Sequence, residues 1–366
     1  MVGTASYLVS LYFWLFSFSF KAYPFTAKMD FPPDTKGGKS ILEVFMERIL
    51  NYQVSSDDLS DHTSCTVQSL LQHRLHLTKK EISRAKFLKN GILADNLPVY
   101  INTHLQKGQL LSVCIERTQM EDCTLIPYAH PLTVLYENED MICIDKPPGI
   151  AVHPSHGHYS DTIVNALAAY FYQQNNWIIP RIIGRLDKDT SGLLVFAKNQ
   201  PAAARLTAQH KDGRFLRTYL ALVEGIPKKA RGRIDAPIGP VSSSLMKQEV
   251  RPDGAFARTF YTHVHTFFSD SSSCSLMRVQ IDTGRTHQIR VHMQSIGHPL
   301  LGDHLYQENP MQPPFSCYFQ RSALHSASVT CFQPFTGQPI SIHAPLPKDF
   351  ARFFTTYGYV PDFLLP

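Results

Sequence analysis

The sequence predicts an α+β protein: a larger domain on a mixed, largely antiparallel β-sheet with flanking helices, preceded by a small α+β module. Two observations lead there. Runs such as FLRTYLALVEG and CSLMRVQID alternate in the strand manner, while other segments repeat apolar residues at helical spacing. The two kinds of segment mix without a strict βαβ rhythm, which argues against a parallel, doubly wound sheet. At 366 residues the chain has room for about two domains. Its 43% hydrophobic and 18% charged residues are those of an ordinary globular protein.

Residues 1–40 read as an apolar leader and a flexible linker. Residues 1–20 carry no charged side chain, but YLVSLYFWLFSFSF is short for a membrane span, which needs about 20 apolar residues. It also lacks the basic start and small-residue cleavage site of a secretory signal. A second methionine, Met29, opens the polar stretch MDFPPDTKGGKS. The expectation is that translation starts at Met29 and that the first 28 residues are dispensable; a membrane anchor is the alternative. Residues 41–63 read as a helix, with Ile41, Val44, Phe45 and Ile49 on one face, followed by a polar linker.

The small module is expected over residues 64–117. Thr66 can cap a helix that buries Val67, Leu70, Leu71 and Leu75. TKKE, residues 78–81, is a capping box, with Thr78 as N-cap and Glu81 three residues later. The helix it opens buries Ile82, Ala85 and Leu88, which leaves most of Lys79, Lys80, Arg84 and Lys86 facing solvent. Short strands are expected at 99–101 and 109–116. The larger domain, residues 128–350, opens with strand, acidic turn and strand in TVLYENEDMICIDKPPG. Asp161 or Ser160 can then cap a helix through Ile163, Ala166, Leu167, Tyr170 and Phe171. GRLDKDTSG leads into the buried strand LLVFAK, and a helix follows from about 201 to 211, closed by Gly213. After the two long strands, TGRTHQIRVHMQSIG reads as a turn and an amphipathic helix. Residues 351–366 are left as a tail.

Charge narrows the function. The net charge is +5, yet residues 73–91 alone carry six Lys or Arg against one acid, and residues 184–233 carry eleven against four. Basic charge gathered in two windows is the footprint of a polyanion, nucleic acid first. Seven cysteines, none in a CxxC pair, argue against a disulfide framework or zinc cluster and for a reducing compartment, the cytoplasm. His153, His156 and His158 lie in a loop without a cysteine nearby. His287 and His292 are five apart, hence on different helix faces, so no metal is expected. There is no GxGxxG, Walker loop or GxSxG, and no cofactor is expected.

GRLDKDTSGLLVFAK, RTYLALVEG, DTGRTHQIRVHMQSIGHPLLGDHLY and RSALHSASVTCFQPFTG, in that order and spacing, resemble the RluA-type pseudouridine synthases. The module at residues 64–117 resembles the S-four-like RNA-binding domain carried by the RluD-like branch. The resemblance implies that Asp187 is the catalytic aspartate, Tyr219 the active-site tyrosine and Arg290 the arginine paired with the aspartate. It implies an isomerase without metal or cofactor, acting on RNA: ribosomal RNA first, transfer RNA next. The alternative is a catalytically silent RNA-binding protein on the same fold. Gly184 stands where the family usually has His, Arg217 and Thr218 where it often has a Lys-containing approach to the tyrosine, and Gln307 where Gly is usual.

The chemistry accounts for the residue types. Converting uridine to pseudouridine breaks a glycosidic bond, turns the uracil and rejoins it through carbon. One carboxylate must act as nucleophile or proton acceptor. An arginine keeps that carboxylate ionised, and a tyrosine ring offers the detached base a surface to stack on. Arg185 and Lys188, flanking Asp187, are expected to contact phosphates, as are Lys79, Lys80, Arg84 and Lys86 of the basic helix. A monomer is expected.

Overall fold

The computed structural model describes residues 45–59, 64–119, 125–155, 157–242, 246–270, 272–307 and 315–361. The expected leader, residues 1–40, lies outside them.

The amino-terminal body begins with a correction. The segment expected to be a helix is the strand β1 (Phe45–Gln53). Its inward residues, from Met46 through Arg48, Leu50 and Tyr52 to Val54, recur every second position, so the chain obeys a strand period. A long antiparallel partner across the body decides the matter, setting Leu50 against Val113 and Tyr52 against Leu111. The body therefore includes β1, upstream of residue 64. It continues through β2 (Cys65–Thr66), α1 (Val67–His73), α2 (Lys79–Phe87), β3 (Ile92–Ala94), β4 (Leu97–Pro98), β5 (His104–Leu105) and β6 (Leu110–Gln119). A four-stranded sheet runs β1-β6-β3-β4. The strand expected at 99–101 is instead β4, joined to β3 by a two-residue turn in which Asp95 and Asn96 both take positive φ, 47° and 66°.

Both helix caps form as read. Thr66 accepts from Ser69 N at 3.2 Å. Thr78 accepts from Glu81 N at 3.3 Å, and Glu81 accepts from Thr78 N at 2.8 Å. Val67, Leu70, Leu71, Ile82 and Ala85 then pack with Leu111 and Val113 in one apolar cluster.

The larger body comprises β7 (Thr133–Glu137), β8 (Met141–Lys146), α3 (Ile163–Gln173), β9 (Arg181–Ile183), β10 (Ser191–Ala197), α4 (Gln200–Lys211), β11 (Leu216–Glu224), β12 (Arg231–Asp235), β13 (Ile238–Pro240), β14 (Gln248–Val250), β15 (Arg258–Phe268), β16 (Ser273–Ile281), α5 (Gln288–Ser295), β17 (Leu324–Phe332), β18 (Pro339–His343) and α6 (Lys348–Thr356). Ten strands form one sheet in the order β12-β15-β16-β11-β17-β10-β8-β7, with β18 beside β17 and β9 beside β10. All its named pairings are antiparallel except that of β10 with β17, so the fold is the expected α+β. The cap of α3 is Thr162 rather than Ser160 or Asp161: its hydroxyl accepts from Asn165 N at 3.5 Å.

The supposed tail is also structure. Residues 351–361 complete and follow α6, whose Phe350, Phe353 and Phe354 are buried against Phe267, Phe315 and Phe319. Phe353 meets Phe267 edge-on at 4.8 Å between centroids. The spacing of three and four residues along α6 puts these rings on one face.

Charged side chains join the two bodies. Arg205 of α4 donates to Glu81 of α2 at 3.1 Å and to the His76 carbonyl at 3.0 Å. Arg181 of β9 donates to Glu116 of β6 at 2.9 Å. Arg48 of β1 grips Asp140 at 2.8 and 3.0 Å. The ring of Phe335 has the Arg205 guanidinium at 4.4 Å and that of Arg48 at 5.7 Å.

Because Phe353 is fully buried among rings, Phe353→Ala should lower the stability of the larger body by about 3–5 kcal/mol. Urea unfolding followed by fluorescence measures it; a change below about 1 kcal/mol would return residues 351–361 to the status of a tail.

Candidate active site

The loop between β9 and β10 carries Asp187, and its shape is set by close packing. Gly192, the second residue of β10, has φ +103°, and a Cβ there would lie 2.3 Å from the Ser326 carbonyl oxygen of β17. Only glycine lets the strand approach this closely. Thr190 N donates to the Asp187 carbonyl at 3.1 Å, closing a turn. Two cations then fix the loop by its backbone. Lys146, fully buried at the end of β8, donates to the carbonyls of Lys188 at 2.8 Å, Pro147 at 2.8 Å and Ile150 at 3.0 Å. Burial pushes its pKa down to about 7, with Asp189 opposing. Arg321 donates to the Asp189 carbonyl at 2.9 Å and to Ser191 Oγ at 3.0 Å, while its Nε holds Asp349 of α6 at 2.8 Å.

Asp187, Tyr219 and Arg290, far apart in sequence, meet at this loop. Arg290, on α5 and 8% exposed, has Nη1 3.8 Å from Asp187 Oδ2. Its stronger partner is one the sequence reading missed: Nε and Nη2 each donate to Asp303 at 2.7 Å, in a two-pronged buried pair. Burial works against the Arg290 charge, but Asp303 outweighs it and holds the guanidinium above its usual pKa. The face of Tyr306 lies 5.0 Å from the guanidinium carbon, and the Tyr306 hydroxyl is fixed by Gln248 N and His287 Nδ1, both at 2.9 Å. Asp303 and Tyr306 stand in the block GDHLY, so a buried acid three residues before an aromatic was the available signal.

Tyr219, on β11, is 2% exposed and packs with Leu186, Ile289 and Leu324. Burial raises the pKa of its hydroxyl, and the nearby Arg217 opposes that rise. Asp187 and Tyr219 line one small cleft, with Arg185, Arg285 and Gln288 around it. Arg185 is exposed there, as expected, and Arg285 adds a cation that the sequence reading did not assign. Lys188 is also exposed; its Nζ is braced by His158 Nε2 at 3.1 Å, and His158 Nδ1 meets Asp161 at 2.7 Å. His156 lies outside the described residues. Lys79, Lys80, Arg84 and Lys86 are all exposed on α2, away from the cleft and on the other body. Among the described residues no three His, Cys, Asp or Glu side chains are grouped to hold a metal ion. No described helix is long and apolar enough to cross a membrane.

Asp187 thus faces a buried arginine and shares a cleft with a tyrosine, beside a mostly antiparallel sheet, and comparison with known proteins gives the family. Residues 140–295 match the family model for RNA pseudouridylate synthase. The uncharacterized RNA pseudouridine synthase YjbO of Bacillus subtilis is 34% identical over 76% of this chain and 94% of its own length. Ribosomal large subunit pseudouridine synthase D of Yersinia pestis is 38% identical over 78% of this chain and 91% of its own. The solved structure of human RNA pseudouridylate synthase domain containing 4 shares the fold, with a TM-score of 0.50 and 21% identity, over 63% of this chain and 94% of that one. The chain belongs to the RluA-type RNA pseudouridine synthase family. It is an isomerase that acts on RNA, and the alternative of a silent binding protein is not favoured.

Removing the charge of Asp303 strands a buried guanidinium. Asp303→Asn should therefore cost about 3–5 kcal/mol of stability and lower turnover, because Arg290 is no longer held facing Asp187. Denaturant melts and single-turnover rates read the two effects; an unchanged melt would show that Asp303 does not hold Arg290.

Proposed function

We propose that Asp187 is the reacting carboxylate of this synthase, with Arg290 as its paired cation and Tyr219 supporting the detached uracil. The observation that carries the reading is the 3.8 Å approach of Arg290 to Asp187 above a cleft that Tyr219 also lines. In the reaction the C1′–N1 bond breaks, the uracil turns, a C1′–C5 bond forms, the C5 proton leaves and N1 takes up a proton. The covalent and glycal routes both employ this one carboxylate, as nucleophile or as base. The target base must be flipped out of its RNA helix, at a cost of about a few kcal/mol. Arg185, Lys188 and Arg285 at the cleft would hold the distorted backbone by phosphate contacts.

The substrate proposed is ribosomal RNA, as the printed names of relatives such as ribosomal large subunit pseudouridine synthase D suggest for those proteins. The body over residues 45–119 is read as the S-four-like RNA-binding domain, with Lys79, Lys80, Arg84 and Lys86 gripping backbone. Residues 128–361 are read as the catalytic domain. The enzyme is read as a cytoplasmic monomer that needs no metal or cofactor; the six described cysteines are all free thiols.

Asp187→Asn keeps the shape of the side chain but removes the nucleophile and base. It should reduce pseudouridine formation by on the order of 10⁴ or more, with fold and RNA binding retained. Asp189→Asn, two residues away, should remain active. Pseudouridine mapped in total RNA from cells carrying each variant in place of the native gene decides it, and an active Asp187→Asn would sink the reading. The same mapping, with and without the gene, names the RNA and the uridine.

The basic helix should supply affinity rather than chemistry. Changing Lys79, Lys80 and Arg84 together to Ala should weaken RNA binding and reduce its salt slope by up to about two to three charges' worth. The rate at saturating RNA should change little. Intact binding with a collapsed saturated rate would place these residues in the chemistry instead.

A further inference from the structure

The side chain of Phe87, the last residue of α2, is 87% exposed, more than any other large apolar side chain among the described residues. Helix geometry explains why it stands outside. The inner face of α2 carries Ile82 and Ala85, and two further residues turn the chain by about 200° from Ala85. Phe87 therefore lies on the outer face, in one row with Lys80, Ser83 and Arg84, which precede it by seven, four and three positions.

The ring is presented on a fixed corner. Leu88 N donates to the Ala85 carbonyl at 3.2 Å and Gly91 N to the Leu88 carbonyl at 3.0 Å, so the chain bends sharply under the helix end. Gly91 permits the bend, because a Cβ there would collide with the Ala85 carbonyl oxygen. Arg117 of β6 donates to the Lys89 carbonyl at 2.9 Å and ties the corner to the sheet. The surroundings are cationic. Lys79, Lys80, Arg84 and Lys86 of α2 and Lys89 just after it are all exposed, and none pairs with an acid among the described residues. The one acid of α2, Glu81, is buried and turned inward, bonded to Thr78 and to Arg205 across the seam.

An aromatic ring in water among unneutralised cations is complementary to a partner that carries both anions and bare apolar faces. An unpaired stretch of RNA has that chemistry, with phosphates along its backbone and bases whose π-faces are open. A fully paired duplex offers the phosphates but keeps its bases stacked on one another.

We infer that Phe87 is a base-stacking residue: the cations of α2 hold the phosphates of the RNA, and the ring of Phe87 takes an unpaired base beside them. The inference rests on the reading of the basic helix as an RNA grip and adds a requirement on the substrate. Cations alone accept any row of phosphates; the ring makes the grip favour a loop or bulge over continuous helix.

Binding of the full chain to two RNA probes tests this: a hairpin with an unpaired loop, and a fully paired duplex of the same length. Phe87→Ala should weaken hairpin binding by roughly five- to a hundredfold, the range of one lost base stack, and leave duplex binding as it was. The slope of log affinity against log salt should not change, because no phosphate contact is lost. Phe87→Trp should bind the hairpin as tightly as the native chain, and its added indole emission should be quenched as the base stacks. Phe87→Leu, apolar but without an aromatic face, should stay close to Phe87→Ala. Native hairpin affinity in Phe87→Ala, an equal loss on hairpin and duplex, or full recovery by Phe87→Leu would each overturn the inference. The last result would mark the ring as a general apolar contact of the kind a protein partner makes. The triple change at Lys79, Lys80 and Arg84 separates the two readings. If it leaves affinity and salt slope intact, α2 does not hold RNA, and the grip and the stacking fall together. If it lowers the slope while Phe87→Ala binds as the native chain does, the stacking alone falls.

Discussion

The Arg290 guanidinium has to be buried to face Asp187, and a buried cation must be matched. Asp303 matches it with two short bonds to Nε and Nη2, which leaves Nη1 for Asp187 at the looser distance of 3.8 Å. The division of labour follows from geometry. A carboxylate locked in a two-pronged pair has few lone pairs left over, whereas one held at longer range keeps its oxygens open to other partners. Asp303 anchors the arginine so that Asp187 does not have to. Much around the cleft supports that anchor: Tyr306 lies flat against the guanidinium, and β14 approaches to fix the Tyr306 hydroxyl.

The loop bearing Asp187 is held with comparable care, but by its backbone. Lys146 and Arg321 point their charges at the carbonyls of Lys188 and Asp189, on either side of the turn. Neither contact uses the acidic side chains, which remain available. The loop enters the sheet beside the parallel pairing of β10 with β17, where Ser191 and Gly192 lie against His325 and Ser326. Arg321 carries the restraint onward to Asp349 of α6, so the aromatic layer around α6 braces the loop that bears Asp187.

Much of this was readable in the sequence, because local rules and tertiary context agree. The TKKE box at 78–81 forms as a capping box, and the alternating runs of β11 and β16 are strands. Where the two disagreed, context won. Ile41, Val44, Phe45 and Ile49 fit a helix, but Met46, Arg48, Leu50 and Tyr52 fit a strand just as well, and only β6, some sixty residues later, chooses between them. The phenylalanines of α6 were passed over because a terminal segment shows its partners only in three dimensions. At the site, Asp187, Tyr219 and Arg290 come from separate motifs and stand together in the structure. Asp303 and Lys146 escaped notice because an acid or a lysine in a sequence does not announce that it will be buried, and pairing across a fold has no local signature.

The seam between the two bodies gives the enzyme a fixed span. Arg205 and Arg48 bind acids across it and enclose the ring of Phe335, so the exposed cations of α2 sit at a set distance from the cleft. The two bodies therefore hold their cations in one arrangement, with the exposed row on α2 on one side of the seam and Arg185, Lys188 and Arg285 at the cleft on the other.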